Sequence, residues 1–215
     1  MNIIIAGATG MVGSEVVRQA IEDPAITRIF LLIRRDSGFT HPKITQVIHS
    51  DFANYADLEN VFIQAEACLW CLGISQSRVS KNEYYRITYT YVVAAARSML
   101  SANPSIRFLF LSGEGADSSE KSPIRFAKVK GQAENALIRL HPEKLFIFRP
   151  GGITASTRNK NEGLYKKIEI LMVKIMGAVF PWSVISTKDL SLAMLKVTKQ
   201  GYEKMILSHR DIKNL

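Results

Sequence analysis

Asn2-Ile3-Ile4-Ile5-Ala6-Gly7-Ala8-Thr9-Gly10-Met11-Val12-Gly13 decides the fold. Its first five residues are a short apolar run rich in β-branched side chains, the composition of a buried strand. Past the glycines, Val12, Val16, Ala20 and Ile21 are spaced for one face of a helix, with Glu15, Arg18 and Gln19 on the other. The glycines therefore sit between a strand and a helix, where a nucleotide pyrophosphate binds. Gly7 lets the chain leave the strand in a tight turn. Gly10 keeps side-chain bulk away from the phosphates, and Gly13 lets the helix pack close to the sheet. The residues expected at the dinucleotide are Gly7, Thr9, Gly10, Met11, Val12 and Gly13. The spacing is Gly-x-x-Gly-x-x-Gly, and its context, strand before and helix after, is what gives it weight.

Working outward, Ile29-Phe30-Leu31-Leu32-Ile33 is a second buried strand that runs into Arg34-Arg35-Asp36. About 20 residues past the glycine loop, this strand end separates the two nicotinamide cofactors. An acid there binds the ribose 2′-hydroxyl, whereas an arginine suits a 2′-phosphate. Arg34 leaves the strand first with Arg35 beside it, and Asp36 is expected to point into the loop, so the reading is NADP(H). The plain alternative is a pair of solvated arginines.

Thr45 to His49 is a third strand leading into Ser50-Asp51-Phe52. Asp51 and Phe52 are candidates to bond and flank an adenine, and a helix-capping role for Ser50 or Asp51 competes. A fourth strand, Ala67 to Leu72, closes on Gly73, so Cys71, Leu72 and Gly73 are expected over the cofactor crevice. From Asn82 the chain turns helical through Tyr84, Tyr85, Tyr91 and Met99, either as core or as part of a pocket. Arg107 to Leu111 is a fifth strand, ending in Ser112-Gly113-Glu114-Gly115-Ala116-Asp117. A helix carrying Phe126 and Lys130 follows. Lys144 to Phe148 is a sixth strand, ending in Arg149-Pro150-Gly151-Gly152.

The last third is a basic, apolar helix over residues 163–179, a helix over 188–199 and a short strand, Met205 to Ser208. Alternating strand and helix predict an α/β, doubly wound parallel sheet of the Rossmann type. It is expected as a single domain over 1–215, with a small C-terminal helical cap whose elements fall at about 152–184.

Composition sets outer bounds. Hydrophobic content of 47% and charged content of 22% fit a globular chain of 215 residues. No basic leader with a long apolar run and no ~20-residue apolar stretch is visible, so the expected compartment is the cytoplasm. Cys68 and Cys71 form a Cys-x-x-Cys, but within a strand pattern and not at a helix start where a thiolate is stabilised. No second ligand pair stands at zinc spacing, so no metal site is expected. The net charge of +9 raises nucleic acid and anionic membranes as partners. The charges are scattered and no nucleic-acid motif accompanies them, so nucleic acid is not expected. Lys166, Lys167 and Lys174 beside Leu164, Ile168, Leu171 and Ile175 are the one stretch suited to peripheral membrane contact. A cap helix packed on the sheet explains the same pattern.

Together these stretches resemble the atypical short-chain dehydrogenase/reductase superfamily, and within it the small NAD(P)-binding proteins related to NmrA and to Tat-interacting protein. The resemblance rests on Gly7-x-x-Gly10-x-x-Gly13, Leu32-Ile33-Arg34-Arg35, Cys71-Leu72-Gly73, Leu111 to Asp117, Val129-Lys130-Gly131 and Phe148-Arg149-Pro150-Gly151. It implies that Lys130 holds the nicotinamide ribose and that Pro150 and Gly151 lie beside the carboxamide. Ser112 is similar to the first serine of the pair that ends strand five in the family, and Gly113 replaces the second. The family's catalytic tyrosine falls at Phe126. Of the catalytic set, Lys130 and Ser112 remain. The resemblance therefore implies an NADP(H)-binding protein that acts as a redox sensor on a protein partner. The alternative is an NADPH-dependent oxidoreductase on a small carbonyl or quinone.

Overall fold

The computed structural model describes residues 1–140, 144–155 and 183–215. In chain order its elements are β1 (Asn2–Ala6), α1 (Met11–Glu22), β2 (Arg28–Ile33), β3 (Ile44–Ile48), α2 (Glu59–Gln64), β4 (Ala67–Trp70), α3 (Lys81–Tyr85), α4 (Tyr91–Ala102), β5 (Arg107–Leu111), α5 (Arg125–Leu140), β6 (Leu145–Phe148), β7 (Gly152–Thr154), β8 (Val184–Ser186), α6 (Thr187–Gln200), β9 (Ile206–Leu207) and α7 (His209–Lys213). A π turn over Arg86–Thr90 joins α3 to α4.

Seven strands form one parallel sheet in the order β3-β2-β1-β4-β5-β6-β9. The side-chain period of a strand explains the layering. Ile3 and Ile5 point to one face, with Leu31, Leu69 and Leu109, and meet Val16, Val17 and Ala20 of α1 and Leu190 and Met194 of α6. Ile4 and Ala6 point to the other face, with Phe30, Cys68, Trp70 and Phe108. There they meet Phe62 of α2, Val92, Ala96 and Met99 of α4, and Ala133 and Leu137 of α5. Both faces are covered, which is why the strands read as unbroken apolar runs. This is the expected doubly wound Rossmann architecture.

Three details differ from the sequence reading. The fourth strand ends at Trp70 rather than Leu72: Cys71 N–H still bonds Ala6 at 2.9 Å, after which the chain crosses beside Gly7. Gly152–Thr154 and Val184–Ser186 form a second, two-stranded parallel sheet. The last strand is two residues long, and α7 follows it, started by a capping box between Ser208 and Asp211. The helix expected over 163–179, its membrane alternative and most of the cap at 152–184 lie outside the described residues. Among the described residues no helix is long and apolar enough to cross a membrane.

Candidate functional site

The carboxyl ends of β1, β2, β4, β5 and β6 open on one edge of the sheet, where open α/β sheets bind ligands. At its centre is the glycine turn. Gly7 has φ +83°, and a Cβ there would stand 2.6 Å from Leu72 N and 2.7 Å from Cys71 C. Gly10 donates its N–H to Gly7 O at 2.9 Å, which closes the turn, and it caps α1 without a side chain. The first turn of α1 carries no acid. No side chain caps its first amides either, so they are placed to meet an anion. Thr9, Gly10 and Met11 are exposed there, while Val12 is buried beneath them. At Gly13 a Cβ would lie 2.1 Å from Gly7 O, so α1 touches the turn backbone to backbone. This cradle fits a dinucleotide pyrophosphate.

The cradle gives a sharp test. Alanine at position 13 gains about 1 kcal/mol of helix propensity, yet its methyl group collides with backbone that has nowhere cheap to go. We expect Gly13→Ala to lose about 1–3 kcal/mol of stability and, by displacing the turn, to lose dinucleotide binding. Urea unfolding and a binding titration measure the two effects.

The register of β1 with β2 sets Ala6 beside Leu32, so Arg34 and Arg35 emerge next to the turn. Both are exposed and neither forms an ion pair with a described residue. Asp36 turns into its own loop, accepting from Gly38 N at 2.8 Å and Gln46 Nε2 at 2.9 Å. Those bonds hold its carboxyl below the usual range.

The adenine-side expectation needs correcting at Phe52. Its ring is 2% exposed and packs among His49, Tyr55, Trp70 and Tyr91, so it is core and presents no face to a ligand. Asp51 is exposed and accepts from Ala53 N at 3.0 Å, a local turn bond.

At the end of β4, Cys68 is buried and Cys71 half-buried, and both are free thiols. Burial raises both, Cys71 to about 12, so neither supplies a thiolate at neutral pH. Leu72 is half-buried, and Gly73 stands exposed with open space where a Cβ would be.

A cavity of about 450 Å³ opens between the ends of β5 and β6. Ser112, Gly113, Glu114, Gly115, Phe126, Pro150, Gly151, Gly152 and Ile153 line it. Phe126 is fixed through its backbone, whose N–H donates to Gln76 Oε1 at 3.0 Å. Its ring tip lies against Gly113: a Cβ on that glycine would be 2.8 Å from Cζ. Phe126 and Gly113 are thus neighbours, and a serine at 113 needs the ring to move.

Ser112 is mostly buried and its hydroxyl donates to Glu134 Oε1. Glu134 is 0% exposed on the inner face of α5 and paired with Arg149, whose Nε lies 3.1 Å from both carboxylate oxygens. Arg149 also donates to Ser118 Oγ at 2.8 Å. A buried carboxylate is tolerated only when it is paired and bonded in this way. Nothing in the sequence singled out Glu134, although a charge four residues past Lys130 on the apolar face was a readable sign.

Lys130 is buried and donates to Leu111 O at 2.8 Å, with its ammonium 4.6 Å from the centre of the Phe110 ring. It does not line the cavity. Burial pulls its pKa down to about 8, against support from Glu134. The sign follows: between pH 8 and the unfolded value the unfolded chain holds the extra proton, so stability rises with pH. We expect the unmodified protein to gain stability between pH 8 and 10 relative to Lys130→Met. Equal slopes for the two proteins in denaturant titrations contradict this.

The tyrosines of the long helix do not stand in for the missing hydroxyl. Tyr84 is buried, Tyr85 stacks on Tyr89 at 4.8 Å, and Tyr91 packs on Phe52 at 5.8 Å; none lines the cavity. Among the described residues no cluster of His, Cys, Asp and Glu is arranged to hold a metal ion.

Comparison with known proteins agrees with this geometry. A family model described as NAD(P)H-binding matches residues 7–196. The protein named FMP52, mitochondrial, of Candida albicans is 29% identical over 172 residues, covering 78% of this chain and 73% of its own. The rat protein HTATIP2 is 24% identical over 164 residues, covering 75% and 66%. Among solved structures, Gre2 of Candida albicans in complex with NADPH superposes with a TM-score of 0.74 at 12% identity, over 97% of this chain and 77% of that one. The dTDP-glucose 4,6-dehydratase of Bacillus anthracis in complex with NAD does so with 0.70 at 15% identity, over 97% and 74%. At such identities these two show the fold alone. The fungal relatives overturn the cytoplasmic expectation, because six at 21–29% identity are named mitochondrial. A secretory leader is only one kind of address, and its absence from the pattern never specified a compartment.

Proposed function

The chain belongs to the NAD(P)H-binding family, as an atypical short-chain dehydrogenase/reductase with a Rossmann fold, and from that premise we propose that it is an NADP(H)-binding redox sensor with little conventional dehydrogenase activity. The observation that carries this reading is Phe126. It occupies the cavity wall where the family has its catalytic hydroxyl, while Lys130 is bonded to the end of β5. On this reading the chain keeps the residues that would bind the dinucleotide and lacks the one that would deliver a proton.

The glycine turn and the α1 amides would hold the pyrophosphate, and Arg34 and Arg35 the 2′-phosphate. Pro150 and Gly151 would flank the nicotinamide, with Ser112 and Lys130 behind it. When bound, the nicotinamide supplies or accepts hydride. We read 1–215 as one domain, and the sensed state passes to a protein partner.

The second reading, an NADPH-dependent oxidoreductase acting on a small carbonyl or quinone, is favoured by the cavity itself. Its volume suits a small substrate, and Ser112 and Glu114 put polar groups in its wall. Spectrophotometric assay of NADPH oxidation against quinones, aldehydes and ketones separates the two. The sensor reading expects no enzyme-dependent turnover. Rates of about 1–10³ per second with any of them overturn it in favour of the reductase.

A further inference from the structure

The geometry points to His209 as a positioning residue for the Pro150–Gly152 segment, one whose protonation weakens dinucleotide binding. This rests on the reading that the segment lies at the nicotinamide. Pro150, Gly151 and Gly152 line the cavity; Gly152 opens β7 and pairs with Val184 of β8, while Pro150 and Gly151 lie in no strand. Two bonds hold Pro150 and Gly151. Pro150 O accepts from Glu114 N at 2.8 Å, and Gly151 N donates to His209 Nδ1 at 2.9 Å. The packing is tight: a Cβ on Gly151 would stand 2.4 Å from Ser183 O, 2.8 Å from Glu114 Oε2 and 3.3 Å from His209 Nδ1. His209 is 7% exposed and set by the Ser208–Asp211 capping box.

The acceptor at Nδ1 fixes the tautomer, so the hydrogen is on Nε2, and that atom is buried with no partner among the described residues. A second proton has one place to go. It turns Nδ1 into a donor facing the Gly151 N–H, so the bond is lost and the two hydrogens repel. The charged groups around the ring are otherwise committed. Asp211 is paired with Lys204 at 2.6 Å and Arg149 with Glu134; on α6, Lys196 donates to Leu215 O at 2.8 Å and Lys199 pairs with Asp23. Arg210 and Lys213 share its own turn, and their charge opposes protonation. Glu114, across Gly151, forms no described ion pair and favours it. The ring therefore couples the C-terminal turn to the cofactor crevice, and proton binding and dinucleotide binding oppose one another.

The test is calorimetric affinity for NADP⁺ from pH 8 to pH 5.5. It compares the full chain with His209→Asn, whose amide oxygen can accept from Gly151 and does not titrate. Protonation of the 2′-phosphate affects both proteins alike. We expect similar affinities at pH 8, with the unmodified protein weakening on acidification by up to about tenfold per pH unit more than the variant. Identical pH profiles overturn the proposal. The second measurement needs no variant and no dinucleotide: the Gly151 amide resonance of the unmodified protein should move together with the His209 ring resonances as pH is lowered, and a fixed Gly151 resonance also overturns the proposal. If NADP⁺ binds at no pH, the cofactor reading fails, while the Gly151 resonance still decides the His209 contact.

Discussion

Replacing Arg34 with alanine is expected to erase most of the preference for NADPH over NADH while leaving NADH affinity nearly unchanged. The 2′-phosphate carries close to two negative charges, and a guanidinium meets it with a rigid fork of donors. Each charge-assisted bond contributes about 1.5–3 kcal/mol. At about 1.4 kcal/mol per decade, one or two such bonds make about ten- to ten-thousand-fold. Asp36 does not compete for the ribose, because it is committed to Gly38 and Gln46. Arg35 is exposed alongside and retains a smaller share in the variant. Competition titrations of the two reduced dinucleotides against each protein measure the ratio. A variant that keeps the full preference places the 2′-phosphate elsewhere.

Restoring the family hydroxyl, Phe126→Tyr, is expected to create or raise carbonyl reduction. A positioned general acid is worth about 10²–10⁴ in rate, and the gain should fall at the low end of that range. Tyrosine alone stays near its ordinary pKa of about 10, and the lysine that would lower it is bonded to Leu111 O and lies outside the cavity wall. Glycine at 113 is what leaves room for the new oxygen, since the ring tip already lies where a side chain would begin. Adding Gly113→Ser to recover the family's second serine should therefore cancel the gain by displacing the ring. NADPH oxidation by the variant on the same carbonyl panel is the readout. A variant that binds NADPH normally and gains no activity shows that the missing hydroxyl is not what limits the chemistry.

Most of the fold was legible because its determinants are local. Ile3, Ile4 and Ile5 alternate between two covered faces, so the run shows a buried parallel strand without naming its neighbours. Gly7 and Gly13 are legible for the same reason: each meets backbone a few residues or one strand away. What escaped depends on distant partners. The strands Gly152–Thr154 and Val184–Ser186 are three residues each and exist only by pairing with one another. Phe52 looked like a ligand-facing aromatic because nothing local reveals the cluster of His49, Tyr55, Trp70 and Tyr91 that encloses it. Glu134 and Arg149 come from α5 and the end of β6, and His209 reaches Gly151 across 58 positions. Such contacts carry no sequence period.

On the proposed reading the glycine turn and the arginines beside it form a working NADP(H) site. Titration calorimetry of the full chain with NADPH, NADP⁺, NADH and NAD⁺ tests it most directly. The account predicts saturable binding of one dinucleotide per chain, with the two phosphorylated forms at least about tenfold tighter than their counterparts. Equal affinity for phosphorylated and unphosphorylated forms contradicts the role given to Arg34, and the absence of binding by all four contradicts the account as a whole.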